Sequence, residues 1–172
     1  ISGENEADLN RSVRLNIGAV RRPAKPGRYV ARMDDNYFPV TSFNGKKMST
    51  ITFETLLKGD SFSGKDVGIN SVFGLEGKWL VRVGDSYYRE NQLQNATSDG
   101  NWPASYYAPY LDTNKWYHVA VGWDATTGKR LIYINGELSY EDTSASGQID
   151  FSSYTATDGW NHQVCIGYSY RD

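Results

Sequence analysis

Aromatic and planar polar side chains are concentrated between Tyr87 and Tyr110 of this sequence. Flat apolar rings suit the faces of pyranose sugars, and amide, carboxylate and guanidinium groups suit their hydroxyls, so this mixture indicates carbohydrate binding. The alternative is that tyrosines in a long loop cap one end of the core. The residues predicted to contact sugar are Glu54, Arg82, Tyr88, Gln92, Gln94, Trp102, Tyr106 and Tyr107. Of these, Glu54 and Arg82 are expected to join the others from one concave sheet.

The acidic residues are not paired as hydrolysis of a glycosidic bond requires. Retaining hydrolases hold two carboxyl groups about 5 Å apart. Here Glu54 is the one acidic residue on its predicted strand, Glu76 falls at a turn, and Asp85 and Glu90 flank a loop. We therefore expect no catalytic residue, and we predict that the chain is not an enzyme.

Histidine and cysteine form no metal or nucleophile motif. His118 and His162 are far apart in sequence and lack further ligands at metal-binding spacing. Cys165 lies in the apolar run 163–167 without a basic neighbour, so we expect a buried free thiol. A single cysteine also excludes a disulfide within the chain.

Composition narrows the choice of partner. The 172 residues fit one domain, and a net charge of −2 with 22% charged residues gives no reason to expect nucleic acid or an anionic membrane. No apolar run approaches the roughly 18 residues that span a bilayer, so we expect no membrane insertion. Residues 1–10 are polar and acidic, unlike a signal peptide, and the chain begins without Met, so we expect a mature or excised piece.

The candidate residues need a scaffold, and its clearest element runs from Asn114 to Tyr140. The run 116–123 is rich in aromatic and β-branched residues, which favour strands, and a five-residue connection ending in Gly128 follows it. Asn135-Gly136 between apolar runs is typical of a type I′ turn, because both residues tolerate positive φ. We predict a three-stranded antiparallel meander.

Alternation predicts further strands on either side of the meander. In residues 50–58 the apolar side chains share one face, which leaves Glu54 on the outer face; Arg82 shares a face with Leu80, and Gln92 with Gln94. Pro39 inside the strand predicted over 37–42 indicates a sheet edge. Other strands are predicted over 13–20, 68–75, 78–83, 91–96, 147–151 and 163–169, and loops over 21–27, 59–66, 98–110 and between 154 and 161. About eleven to thirteen short strands and no helix predict an all-β, two-sheet antiparallel jelly-roll sandwich.

Two runs of the meander carry a family resemblance. WYHVAVGWD (116–124) followed by LIYING (131–136) resembles the signature of laminin-G-like domains, the relatives of concanavalin A and the pentraxins. Residues 51–58, 71–85 and 91–94 are similar to laminin-G-like modules of uncharacterised surface proteins in gut Bacteroidetes. The resemblance spans residues 37–168 and implies a jelly roll of the concanavalin A-like lectin/glucanase type.

The resemblance also bears on catalysis and metals. Related glycanases carry carboxylates on one strand in a pattern such as Glu-x-Asp-x-x-Glu, which is absent here. Several laminin-G-like and pentraxin domains bind calcium through loop oxygens, and the donors available here are Asp34, Asp35, Asp124 and Asp142. No stretch resembles a dense calcium loop, so ordinary turn aspartates are the alternative. We expect no cofactor, with calcium left open.

Together these features predict a non-catalytic carbohydrate-binding module of a secreted or cell-surface bacterial protein, extracellular or on the outer-membrane surface. The alternatives are a protein–protein interaction or adhesion module, in which the same aromatics form a hot spot, and an unusual glycoside hydrolase. We expect residues 1–27 to be a lead-in strand and linker, and residues 28–172 to form the laminin-G-like domain. The lead-in strand belongs either to a preceding domain or to a sheet edge of this one.

Overall fold

A computed structural model describes residues 22–25, 28–30, 37–60, 62, 70–75, 77–84, 91–97, 104–152, 154–155 and 161–167. Residues 22–25, 28–30, 70, 104–109, 154–155 and 161–162 are described by their backbone alone. In chain order, the strands are β1 (Arg22–Lys25), β2 (Arg28–Val30), β3 (Phe38–Pro39), β4 (Lys47–Met48), β5 (Thr50–Leu57), β6 (Asn70–Leu75), β7 (Trp79–Val83), β8 (Gln92–Thr97), β9 (Ala104–Tyr110), β10 (Tyr117–Asp124), β11 (Lys129–Ile134), β12 (Glu137–Asp142), β13 (Ile149–Asp150), β14 (Tyr154–Thr155), β15 (Asn161–His162) and β16 (Cys165–Ile166).

Two antiparallel sheets form the body of the domain. One has six strands in the order β3-β16-β6-β7-β8-β9, and the other has four in the order β12-β11-β10-β5. Side chains from both sheets are fully buried in one apolar core, among them Trp79 and Val81 from the first and Val119, Val121 and Ile132 from the second. Apart from a single 3-10 turn at Thr41–Phe43, the described residues contain no helix, and none of their segments could cross a membrane as a helix. The predicted all-β sandwich is confirmed.

The meander predicted from the sequence is present as β10, β11 and β12. Asn135 and Gly136 adopt φ values of 55° and 84°, as a type I′ turn requires. The Asn135 side-chain oxygen accepts a hydrogen bond from the backbone N–H of His118 at 3.0 Å. The backbone N–H of Asn135 donates to the His118 carbonyl at 2.8 Å. The turn is therefore anchored to the start of β10.

Strand β5 and the sheet edge at Pro39 also agree with the prediction. β5 pairs with β10 along its whole length, from Thr50 opposite Asp124 to Leu57 opposite Tyr117. Its burial alternates, so Ile51 is buried and Thr50 is exposed. Pro39 lies in β3, at the edge of the six-stranded sheet, where the missing N–H removes no ladder hydrogen bond from a central strand.

Three stretches predicted as loops contain strands instead. Residues 104–110 form β9, which pairs with β8 at the edge of the six-stranded sheet. Residues 22–25 form β1, which pairs with β2, and β14 pairs with β15 in the stretch 154–162. β9 and β1 contain proline, and each has one side without a strand neighbour in the described sheets. Proline is tolerated on such an edge, so its presence was not sufficient reason to predict loops there.

The division of the chain at residue 27 stays a prediction. The predicted strand over 13–20 lies outside the described residues. The β1–β2 hairpin spans the proposed boundary, because β1 ends at Lys25 and β2 begins at Arg28.

Candidate binding face of the six-stranded sheet

A row of polar residues crosses the outer face of the six-stranded sheet. Ser71 of β6 lies opposite Arg82 of β7, and Arg82 lies opposite Gln94 of β8. This face is the one turned away from the core, because the neighbouring positions Val81 and Val83 are packed inside it. We call Ser71, Arg82 and Gln94 the Arg82 row. As predicted, Arg82 shares the face of Leu80, whose register partner is Ala96.

The Arg82 row is held by a buried hydrogen bond. Arg82 Nε donates to Gln94 Oε1 at 2.7 Å, with Arg82 only 4% exposed and Gln94 fully buried. A charged donor makes this bond stronger than a neutral pair of the same geometry. The pair therefore has a fixed geometry, and Gln94 presents its Nε2 away from the bond.

Two atoms of the row make no hydrogen bond in the described structure: Gln94 Nε2 and Ser71 Oγ, both buried. A buried polar group left without a partner costs about 1–3 kcal/mol, so such groups call for an explanation. A bound hydroxyl or carbonyl oxygen would satisfy the amide nitrogen. Gln94 is fully buried, however, so a ligand could not contact it in the described state. A ligand would first contact exposed residues at the edge of this face.

The exposed rim is formed by Tyr110 at the end of β9. Tyr110 is 65% exposed and lies opposite Gln92, which is 9% exposed. A register shift between Gln92 and Gln94 puts an extra residue into β9 here, and the N–H of Leu111 donates to the carbonyl of Asn91 at 2.7 Å. An open phenol ring thus stands beside a primary amide, a pairing suited to stacking and hydrogen bonding with one sugar.

The other aromatic residues predicted to bind sugar are only partly placed. Tyr107 and Tyr106 lie opposite Gln94 and Asn95 in the β8–β9 register, and the structure describes their backbone alone. Tyr88 and Trp102 lie outside the described residues. On this face the structure therefore gives the position and burial of Arg82, Gln92 and Gln94. That any residue of the predicted set contacts sugar stays a prediction.

Glu54 does not join this face. It lies on β5, in the four-stranded sheet, so the expectation that Glu54 and Arg82 line one sheet is wrong. Both occupy outer faces, and the sandwich core separates those faces. The Glu54 carboxylate is 64% exposed and its Oε1 lies 2.6 Å from Nε2 of His118, a neighbour on β10.

Sequence reasoning missed a buried polar bridge between the two sheets. Asn95 Oδ1 accepts from Trp79 Nε1 at 2.7 Å, and Asn95 Nδ2 donates to the Gly122 carbonyl of the other sheet at 3.0 Å. Nearby, Arg130 donates to Thr97 Oγ1 at 2.6 Å, and its guanidinium lies 4.6 Å from the centre of the Trp123 ring.

The same bridge decides the role of the Asn95-Ala-Thr97 sequence, which has the form of a glycosylation site. Asn95 is fully buried and Thr97 is 5% exposed, so the folded domain offers no acceptor there. Asparagine and threonine in an apolar strand pattern were the one signal in the sequence that could have indicated an internal hydrogen-bond network.

The aspartates considered as calcium donors cap turns. Asp124 accepts from the hydroxyls of Thr126 and Thr127 and from their backbone N–H groups. These hydrogen bonds, first of all that of the Thr126 hydroxyl, lower the pKa of Asp124 to about 2. Asp142 similarly accepts from Ser144 and from the Tyr140 hydroxyl.

Metal and thiol chemistry gain no support from the remaining side chains. Asp34 and Asp35 lie outside the described residues, and within those residues no cluster of three or more His, Cys, Asp or Glu could hold a metal ion. Cys165 is buried, and the loss of water around its thiol raises its pKa to about 11, which keeps it protonated and unreactive.

Comparison with known proteins gives a family and a solved relative. A family model, Laminin_G_3, described as the concanavalin A-like lectin/glucanases superfamily, matches residues 32–170. The chain is also similar to a Bacteroides ovatus protein of known crystal structure, provisionally described as carbohydrate-binding, with 29% identity and a TM-score of 0.57. The similarity covers 77% of this chain and 40% of that protein's chain, so this chain spans well under half of the relative's length. No curated protein matches the chain.

Proposed function

The chain belongs to the concanavalin A-like lectin/glucanase superfamily, and we propose that it is a non-catalytic carbohydrate-binding module of a secreted or cell-surface bacterial protein. The family and the Bacteroides ovatus relative support sugar as the ligand. The cell exterior as the location rests on the resemblance to surface-protein modules. A neighbouring domain in a longer protein is part of the proposal. We propose no cofactor, with calcium left to the titration below; the described calcium candidates Asp124 and Asp142 accept hydrogen bonds within turns.

The observation that carries the proposal is the exposed ring of Tyr110 beside Gln92, at the rim of the Arg82 row. A ring that is 65% exposed keeps a broad apolar face accessible, and a sugar ring stacked on it would remove that surface from water. The neighbouring amide supplies a donor and an acceptor for sugar hydroxyls. Trp102 and Tyr88 belong to the same proposed surface on the strength of the sequence pattern.

The test is a glycan-array screen of the intact chain, followed by titration of the best glycan against Tyr110→Ala. Loss of a central aromatic contact should weaken binding by about 1–3 kcal/mol, or roughly fivefold to 150-fold. Because the ring is largely exposed, the unfolding midpoint should hardly change.

Trp116→Ala is the matched control, since Trp116 is 50% exposed and precedes β10 of the other sheet. It should leave glycan affinity unchanged. The proposal fails if no glycan binds, or if Tyr110→Ala binds as tightly as the unaltered chain. Titration with calcium and then with EDTA completes the experiment, and equal affinity in both is expected.

A protein-interaction module is the second candidate, and the four-stranded sheet provides the observation in its favour. Leu56 on β5 and Leu138 on β12 are 65% and 51% exposed, at opposite edges of that sheet. Large exposed apolar side chains of this kind mark some protein-binding surfaces. Under this reading Leu56→Ser would impair partner binding, whereas the glycan titration would show nothing.

A further inference from the structure

Within the described residues, strand β5 is an edge strand of the four-stranded sheet. It pairs with β10 over all eight of its residues, and no strand in the described part of the chain pairs with its other side. An open edge presents a row of backbone N–H and C=O groups that readily accept another strand.

The other three edges carry features that block strand addition. β3 has only two residues, one of them Pro39, and β9 contains Pro109 and faces a register shift in the β8–β9 ladder. β12 contains the extra residue of a register shift in the β11–β12 ladder and carries three acidic residues, at 137, 141 and 142. Proline, bulges, shortness and charge are the usual protections. β5 is longer than β3, β9 and β12, contains no proline, and has the single charge of Glu54.

The inner row of β5 is also incompletely covered. Phe53 and Leu57 are only partly buried, whereas their register partners on β10, Val121 and Tyr117, are 0% and 7% exposed. Phe53 stacks on Phe73 of the other sheet at a centroid distance of 4.6 Å, and its side chain is still only partly buried. An added strand with an apolar inner row would bury this surface.

We propose that residues 13–20 of the same chain add to the free edge of β5 as a fifth strand of this sheet. The segment VRLNIGAV has eight residues, as β5 has, and its apolar positions Val13, Leu15, Ile17 and Ala19 alternate with Arg14 and Asn16. Charge also matches, because Arg14 is the one charge of the segment and Glu54 the one charge of β5. This inference does not depend on the glycan proposal.

The register follows from keeping the apolar positions on the inner face. Pairing Val13 with Leu57 in an antiparallel ladder, or with Ile51 in a parallel one, puts Asn16 opposite Glu54 in both cases. Arg14 then lies diagonally across from Glu54, within reach of a long side chain. Position 16 is therefore the site at which to test the pairing.

The experiment is disulfide trapping in the full chain with Asn16→Cys and Glu54→Cys together. Cross-strand Cβ atoms lie about 4.5–5.5 Å apart, close enough for a disulfide after a small adjustment. We expect an intramolecular disulfide between positions 16 and 54, identified by peptide mass. Asn16→Cys with Glu137→Cys is the control, because Glu137 is an exposed residue on the opposite edge strand, and it should not cross-link.

Two results would overturn the proposal: cross-linked dimers, which would assign the edge to a second copy of the chain, and equal cross-linking in the two variants. Ile17→Asp gives an independent measurement. It should speed amide exchange in residues 50–57 at least tenfold, while Asn10→Asp, outside the proposed strand, leaves exchange unchanged. Equal exchange in Ile17→Asp and the unaltered chain also contradicts the proposal.

Discussion

Asn95→Ala should destabilise the domain by breaking the bridge between its two sheets. The substitution leaves the buried Trp79 indole N–H without its acceptor, at a cost of about 1–3 kcal/mol. It also removes the hydrogen bond from Asn95 Nδ2 to the Gly122 carbonyl, worth about 0.5–1.5 kcal/mol. With the small cavity added, the free energy of unfolding should fall by about 2–4 kcal/mol. That is a large part of the roughly 5–15 kcal/mol typical of a domain.

Urea denaturation measures this loss as a lower midpoint at an unchanged m-value. Asn44→Ala is the control, since Asn44 is exposed and its amide makes one long hydrogen bond, 3.5 Å, to Gln163; its effect should stay within about 0.5 kcal/mol. In a double-mutant cycle, Trp79→Phe and Asn95→Ala should show a coupling energy of about 0.5–3 kcal/mol. A loss for Asn95→Ala no larger than that of Asn44→Ala, or a coupling near zero, refutes the bridge as a stabilising contact.

Four further predictions concern the turns and the candidate sites. Asn135→Val should cost about 1–2 kcal/mol, because a β-branched residue is strained at positive φ, and an unchanged melting midpoint would contradict it. The pKa of Asp124, about 2, lies below the unfolded value of about 3.9, so its contribution to stability is present above about pH 4 and lost as the pH falls through 2. Asp124→Ala should therefore flatten the fall of the unfolding midpoint between about pH 4 and 2, and an unaltered slope argues against the turn hydrogen bonds. Trp102→Ala should weaken glycan binding by about 1–3 kcal/mol with little change in stability, whereas a stability loss of about 3–5 kcal/mol would make Trp102 a core residue. Glu54→Gln should leave the release of reducing sugars from any polysaccharide at background, and turnover that disappears in this variant would overturn the non-enzyme proposal.

The parts of the fold that were predictable from the sequence depend on local rules. Asn135-Gly136 fixes a turn by its own backbone preferences, and the alternation in residues 50–57 fixes which face of β5 is buried. The strands over 22–25 and 104–110 were missed because their prolines argue against strands in general. Only the position in the sheet, a property of the whole topology, makes those prolines acceptable.

The candidate site was predictable in its residue types and not in its exposure. Arg82 and Gln94 have side chains suited to sugar hydroxyls, and in the structure they are buried against one another. Tyr110 belongs to the same aromatic stretch, and among the side chains that the structure describes there it is exposed. Burial follows from which strands become neighbours, and a single strand's pattern does not contain that information.

On the four-stranded sheet, the spacing of the described carboxylates gives Glu54 no partner at the distance that glycoside hydrolysis uses. Glycoside hydrolases need two carboxyl groups about 5 to 9.5 Å apart. Glu54 lies opposite Ala120, and Asp124 is four residues further along β10, about 14 Å at 3.4 Å per residue. Glu137 and Glu141 are on β12, three strands from β5, or about 14 Å at 4.8 Å per strand. The outer face of the six-stranded sheet lies beyond the core, so a carboxylate there is also out of reach. In the described structure the side-chain partner of Glu54 is His118, whose Nε2 lies 2.6 Å from its Oε1, so Glu54 is placed as a hydrogen-bonding surface residue.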